Sequence, residues 1–122
     1  MKTVAVIGAS NDRTKYANKA VRAFRSAGYE VFPVHPAHAK VEGLPCYKTI
    51  GDVPQRPNIV SVYVGPERLL QLLPQIAAKG CEELWLNPGT ESDAVLREAR
   101  RLELNPVQTC SIIAVGSSPA LL

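Results

Sequence analysis

Val4-Ala5-Val6-Ile7-Gly8-Ala9-Ser10 decides how the rest of the sequence is read. Four consecutive apolar residues have the character of a strand buried on both faces of a parallel sheet. The run stops at Gly8, and apolar residues at helical spacing follow it, at Ala17, Ala20, Val21 and Phe24. A strand that ends in glycine and hands over to a helix opens a nucleotide-binding α/β unit. Glycine lets the backbone turn tightly and approach a ligand. The free N–H groups at the start of the next helix favour a phosphate. Gly28 is a helix stop that closes this first unit.

Outward from that unit the alternation repeats. Glu30-Val31-Phe32-Pro33-Val34 reads as a second strand, its pairing expected to end near Pro33, which has no N–H to donate. From His35-Pro36 a long connection carrying Gly43, Pro45, Gly51, Pro54 and Pro57 reads as loop, with a short turn near Thr49 to Val53. Residues 58–64, rich in β-branched and aromatic side chains, give the clearest strand. Gly65 ends it, Pro66 suits the first turn of a helix, and Glu67 suits that helix's positive end. Leu69, Leu72, Leu73 and Ile76 supply an apolar face, Pro74 predicts a kink or restart, and Gly80 ends the helix. Residues 82–86 read as a fourth strand. Thr90 is placed to cap the next helix, with Asp93 at capping-box distance and Val95, Ala99 and Leu102 facing inward. Residues 106–110 read as a fifth strand, and residues 116–122 are expected to fray.

Strands alternating with helices imply an α/β fold, doubly wound in three layers, with a five-stranded, mostly parallel sheet in the order 3-2-1-4-5. Ligands of such sheets sit beyond the carboxyl ends of the strands at the switch point, expected here between the first strand and the fourth. The residues that follow the strands are therefore the site candidates: Gly8 to Lys15, Pro33 to Pro36, Val64 to Pro66, and Asn87 to Thr90.

The chain of 122 residues is long enough for one domain with a single core, and its 46% apolar and 20% charged content is ordinary for a globular protein. A net charge of +3 is too mild and too dispersed to argue for nucleic acid. Cys46, Cys81 and Cys110 are far apart and odd in number, which argues against a disulfide framework or a metal pair and for free thiols in a reducing compartment. The first apolar run is too short for a signal peptide, and no stretch is long enough for a membrane span, so a cytoplasmic, soluble protein is expected.

The first turn lacks the dinucleotide fingerprint: Ser10 and Arg13 stand where the second and third glycines belong. No acidic residue ends the second strand to bind a ribose hydroxyl, and no Walker-type Gly-Lys-Ser/Thr is present. The turn carries instead a hydroxyl at Ser10, an amide at Asn11 and cations at Arg13 and Lys15, a set suited to phosphate. For Ser10 and Arg13 two readings stand level, phosphate binding or a helix cap with a solvated charge. Lys19 and Arg22 read as a solvated helix face.

Gly8-Ala9-Ser10, the stretch Gly28 to Pro36 with its Pro33-Val34-His35-Pro36, then Gly43, Tyr47, Val64, Leu84-Trp85-Leu86, Gly89 and Cys110 resemble the stand-alone CoA-binding domain proteins. These are similar to the N-terminal domain of the succinyl-CoA ligase α subunit. The resemblance covers nearly the whole chain and implies a Rossmann-like fold that binds CoA or an acyl-CoA. It implies that Gly8, Ala9, Ser10 and the neighbouring Arg13 and Lys15 meet CoA phosphates. Pro33, Val34, His35 and Pro36 would line the nucleotide side, Val64, Gly65 and Pro66 the opposite wall, and Asn87 and Gly89 a further loop of the site. Where the family usually has Asn between the two prolines this chain has His35, and its usual Gln-x-Gly is Asn87-Pro88-Gly89. The 3′-phosphate of CoA accords with the missing acidic residue after the second strand.

No catalytic constellation is legible, so a non-catalytic module is expected. His35 and His38 lie three apart in a loop with Cys46 as the only nearby further ligand, too few for a metal site. Cys110 reads as a buried thiol, or a reactive one if a helix end lowered its pKa. Tyr63 and Trp85 read as core aromatics. An NAD(P)-type oxidoreductase and a protein-interaction module without a ligand are the alternative readings. Exposed sheet edges make a homo-oligomer possible in principle.

Overall fold

The computed structural model describes residues 1–122. In chain order its elements are β1 (Thr3–Ile7), α1 (Tyr16–Ser26), β2 (Glu30–Val34), β3 (Lys40–Val41), β4 (Leu44–Pro45), β5 (Ile59–Val62), α2 (Pro66–Lys79), β6 (Glu83–Leu86), α3 (Asp93–Arg101), β7 (Pro106–Gln108) and α4 (Ser111–Ala114). Single 3-10 turns occupy Ile50–Asp52 and Pro119–Leu121. The expected α/β class and the five-stranded parallel sheet are present, and all four pairings in that sheet are parallel.

The strand order is β2-β1-β5-β6-β7, which is 2-1-3-4-5 along the main sheet and corrects the expected 3-2-1-4-5. Two features put the third main strand beside β1. Every residue of β5 is buried, so it needs a neighbour on each side. The outer edge of β2 is already engaged. Tyr47 N–H donates to the Pro33 carbonyl at 2.9 Å, and His35 N–H donates to the Tyr47 carbonyl at 2.9 Å. Glu30 N–H donates toward β1 at Lys2 O, so the alternate residue Pro33 faces outward, where a missing N–H costs no ladder bond. Pro33 marks an edge strand, and pairing with β1 continues past it to Val34. The register of β1 on β5 is fixed at the amino end, where Thr3 N–H donates to Asn58 Oδ1 at 2.8 Å and Asn58 N–H donates to Thr3 Oγ1 at 3.0 Å.

The sheet has a core on each face. Ala5, Ile7, Val60, Val62, Leu84 and Leu86 pack with α2, α3 and the Ile50 turn. Val4, Val6 and Ile59 pack with Ala20, Val21 and Phe24 of α1 and Ile112 of α4. Alternate side chains of each strand thus serve opposite layers, as a doubly wound sheet requires.

Several local expectations are corrected. The stretch read as loop contains the hairpin β3–β4, whose two turn residues Glu42 and Gly43 have φ of 50° and 77°. α1 begins at Tyr16, later than a cap at Ser10 would place it, and its N-cap residue Lys15 makes no side-chain cap. α2 runs through Pro74 as one helix, with Pro74 on the exposed side. Ser92 rather than Thr90 caps α3, accepting from Val95 N–H at 3.1 Å. The buried Thr90 hydroxyl donates instead to the Asn87 carbonyl at 2.7 Å. The fifth strand stops at Gln108, and Cys110 is the N-cap residue of α4. The terminal segment expected to fray is fastened to α1, because Lys19 Nζ donates to the Pro119 carbonyl at 3.0 Å. Lys19 and Arg22 are therefore structural groups: Arg22 donates to Asn18 Oδ1 at 2.8 Å and to the Arg13 carbonyl at 2.8 Å. No helix is long and apolar enough to cross a membrane.

Candidate functional site

The chain adds β2 on one side of β1 and β5, β6 and β7 on the other, so the switch point lies between β1 and β5 and not between the first and fourth strands. Gly8 leaves β1 at φ 87°, and a Cβ on it would stand 2.9 Å from the Tyr63 carbonyl oxygen and 3.0 Å from Val64 Cγ1. Only glycine lets the first turn close on the end of β5. Gly8 and Ala9 N–H both donate to the Val34 carbonyl, at 3.0 and 3.3 Å, which ties the turn to β2 as well.

Two cavities open at this junction and share Gly8, His35 and Tyr63. The larger, of about 600 Å³, has an apolar wall of Ile7, Val34, Pro36, Ile50, Val64 and Leu72. Its polar lining includes Lys48, Thr49, Arg68 and Gln75. The smaller, of about 340 Å³, is bounded by Ala9, Ser10, Lys15, Tyr16, Ala17 and His38. No aspartate or glutamate lines either one. Lys15, Lys48 and Arg68 take part in neither of the chain's ion pairs, which join Arg13 to Glu42 and Arg101 to Glu98. Ser10 and Asn11 N–H, and Tyr16 and Ala17 N–H at the uncapped start of α1, have no acceptor within the protein. Cations without counter-ions and free N–H groups at a helix start have the chemistry that suits an anion.

His35 sits at the join. Its Nδ1 accepts from Ala37 N–H at 3.0 Å, which leaves Nε2 to carry the proton of the neutral ring. The ring stacks on His38 with centroids 4.2 Å apart. Desolvation by burial, then the neighbouring His38, Arg68 and Lys15, hold the His35 pKa below the ordinary histidine value. Tyr63 is the other shared residue. Its hydroxyl is buried near Ser61 and Ser111, and burial pushes its pKa up.

The structure brings together Gly8, Ala9, Ser10, Lys15, Val34, His35, Pro36 and Val64 among the expected site residues. Others stand away from the cavities. Arg13 is exposed and pairs with Glu42, Nε to Oε2 at 3.5 Å. Pro33 is buried within β2. Gly65 is the N-cap residue of α2 and Pro66 its first residue. Gly89 forms an exposed turn at φ 91°. The Asn87 amide is fully engaged: Nδ2 donates to Ser61 Oγ at 3.1 Å and to Val62 O at 2.8 Å, and Oδ1 accepts from Ser111 N–H at 2.8 Å. It joins β5, β6 and α4. The cavities are also lined by Lys48, Arg68 and His38, which the sequence does not single out as phosphate-site candidates. Arg68 follows the Gly65-Pro66 strand end by one helical turn, which is a usable signal; Lys48 lies deep in a connection where nothing in the local pattern marks it.

The family model of a CoA binding domain matches residues 2–116. Acetate–CoA ligase (ADP-forming) I of Archaeoglobus fulgidus is 32% identical over 69 residues, 57% of this chain and 10% of that protein. The α subunit of acetate–CoA ligase (ADP-forming) II of Pyrococcus furiosus is 30% identical over 78 residues, 63% of this chain and 17% of that one. The chain thus corresponds to a small part of the curated relatives it matches. A solved conserved hypothetical protein of P. furiosus superposes with a TM-score of 0.87 at 29% identity, over 93% of this chain and 99% of that one. A dinucleotide-forming acetyl-coenzyme A synthetase 1 of Ca. Korarchaeum cryptofilum shares the fold, with a TM-score of 0.78 at 23% identity over 89% of this chain and 26% of its own. One family accounts for the sequence from the start of β1 to beyond α4, and the chain belongs to the CoA binding domain family.

Proposed function

We propose that this chain binds CoA or an acyl-CoA in the crevice between the ends of β1, β2 and β5, as a module without chemistry of its own. The observation that carries the reading is the lining of that crevice, which holds Lys15, Lys48 and Arg68 and no carboxylate. The residues fit the ligand. The first turn offers unpartnered N–H groups beside Lys15 for a diphosphate. The larger cavity offers an apolar wall for an adenine ring. Family membership and the two ligase relatives point to the same ligand class.

An NAD-type reading is disfavoured by the end of β2, where His35 stands in place of the acidic residue that binds a ribose diol. The non-catalytic reading rests on the side chains at the crevice. They supply cations, an imidazole whose pKa burial holds down, and a Tyr63 hydroxyl whose pKa burial raises. No paired acid and base face one another among them.

Calorimetric titration of the purified chain with CoA, acetyl-CoA and NAD at one ionic strength tests the proposal. The expected result is binding of both CoA species, at affinities within a few-fold of each other, with NAD much weaker. Binding of NAD in preference to CoA, or of none of the three, overturns it.

A further inference from the structure

The two compartments of the crevice differ in chemistry. The smaller has a glycine turn, main-chain donors and Lys15, groups that suit a diphosphate. The larger has an apolar wall with two cations approaching from different elements, Lys48 from the segment after β4 and Arg68 from the first turn of α2. Neither makes an ion pair, and neither side chain donates a hydrogen bond within the protein. A cation left free beside an apolar wall is matched by an anion attached to a flat apolar group. In CoA the diphosphate is joined to the 5′ carbon of a ribose that also bears adenine and the 3′-phosphate. Gly8, His35 and Tyr63 join the two compartments, so a ribose there would link a diphosphate at the glycine turn to adenine and a 3′-phosphate in the larger compartment.

We propose that Arg68 and Lys48 are the specificity-determining residues for the 3′-phosphate, so that the chain distinguishes CoA from dephospho-CoA; this rests on the CoA reading above. A phosphomonoester carries close to two negative charges at neutral pH, more than each phosphate of a diphosphate diester. Two cations serve it where one suffices at the turn. The planar guanidinium of Arg68 matches phosphate oxygens in pairs. His35 Nε2–H, fixed as a donor by the Ala37 hydrogen bond, adds a further donor at the same place. The nearest carboxylates in sequence, Glu67 and Asp52, line neither cavity.

The test is calorimetric titration of the intact chain and its variants with CoA and with dephospho-CoA. The parent protein is expected to bind CoA about tenfold or more tightly than dephospho-CoA. Arg68→Gln and Lys48→Gln each weaken CoA binding by about three- to tenfold and leave dephospho-CoA within about twofold, so the preference collapses. Lys15→Gln weakens both ligands alike. Equal affinity of the parent for the two ligands overturns the proposal while the CoA reading stands. So does an Arg68→Gln protein that loses both ligands by the same factor. Failure of the parent to bind either ligand overturns both. Should Arg68→Gln fail to fold, the parent's ligand preference and Lys48→Gln decide the question by themselves.

Discussion

A side chain at position 8 has nowhere to go. The Tyr63 carbonyl oxygen would lie 2.9 Å from a Cβ there, and φ is 87°. Gly89 has a similar φ of 91°, but nothing lies within 4 Å of its would-be Cβ. The two positions separate conformational strain from collision. Gly89→Ala is expected to cost about 1 kcal/mol, and Gly8→Ala about 2 kcal/mol or more, with loss of CoA binding because the turn must open. Urea unfolding of both variants measures the difference, and equal costs would refute the collision. His35 gives a second prediction at this scale. Its folded pKa lies below the ordinary histidine value, so the folded state binds protons less readily than the unfolded chain. Its contribution to stability is complete above the ordinary histidine pKa and declines as pH falls through that value toward the lower folded one. A bound phosphate acts oppositely and draws a proton onto His35. CoA affinity is therefore expected to rise as pH drops from about 8 to about 6, while the free protein loses stability. His35→Asn should flatten both trends; a pH series of titrations and melts on parent and variant checks the pair.

At the scale of the element, what the sequence made legible followed from side-chain periodicity, and what it concealed followed from partners distant in the chain. The apolar run of β1, the β-branched run of β5 and the faces of α1 and α2 were readable because burial imposes a period on each. Strand order was not, because what keeps the third main strand from lying beside β2 is the hydrogen bonding of Tyr47 to β2, a long-range pairing. The structural part that Asn87 plays is of the same long-range kind: its amide is engaged by Ser61, Val62 and Ser111 from two other elements. α1 starts later than the glycine turn suggests because Asp12 organises the preceding turn: its N–H donates to Ser10 Oγ at 3.0 Å, and Thr14 N–H donates to its Oδ1 at 3.0 Å. Pro74 shows local propensity overridden. It lies inside α2 on the exposed side, while Leu69, Leu73 and Ile76 are buried and hold the helix to the sheet. Burial of that face outweighs one missing hydrogen bond. Pro74→Ala restores an N–H to the helix and relaxes ring crowding, but also frees the unfolded chain. The net expectation is a gain of about 1–2 kcal/mol in urea unfolding, with CoA affinity unchanged. A loss of stability would mean that the ring itself packs usefully.

The whole molecule carries a formal charge of only +3, and that sum hides its arrangement. Glu42 and Glu98 neutralise Arg13 and Arg101 away from the crevice, whereas Lys15, Lys48 and Arg68 surround it without a counter-ion. The fold places these three cations together from three separate parts of the chain, where they repel one another, and after burial and His38 it is Arg68 and Lys15 that hold down the His35 pKa. An anionic ligand relieves that repulsion, so binding stabilises the folded state by mass action and by charge at once. At CoA concentrations about 100 times its dissociation constant the stabilisation is about 2.7 kcal/mol, which raises the melting temperature by roughly 8 °C in a domain of this size. The rise should shrink as salt is added, since the cations lie at an open crevice where ions screen them. NAD at the same concentration should give a much smaller rise, because it lacks the phosphomonoester. Melting curves across a salt series, with CoA and with NAD, read all three trends. A shift with CoA that ignores salt would show that apolar contact with the larger cavity's wall, rather than the three cations, holds the ligand.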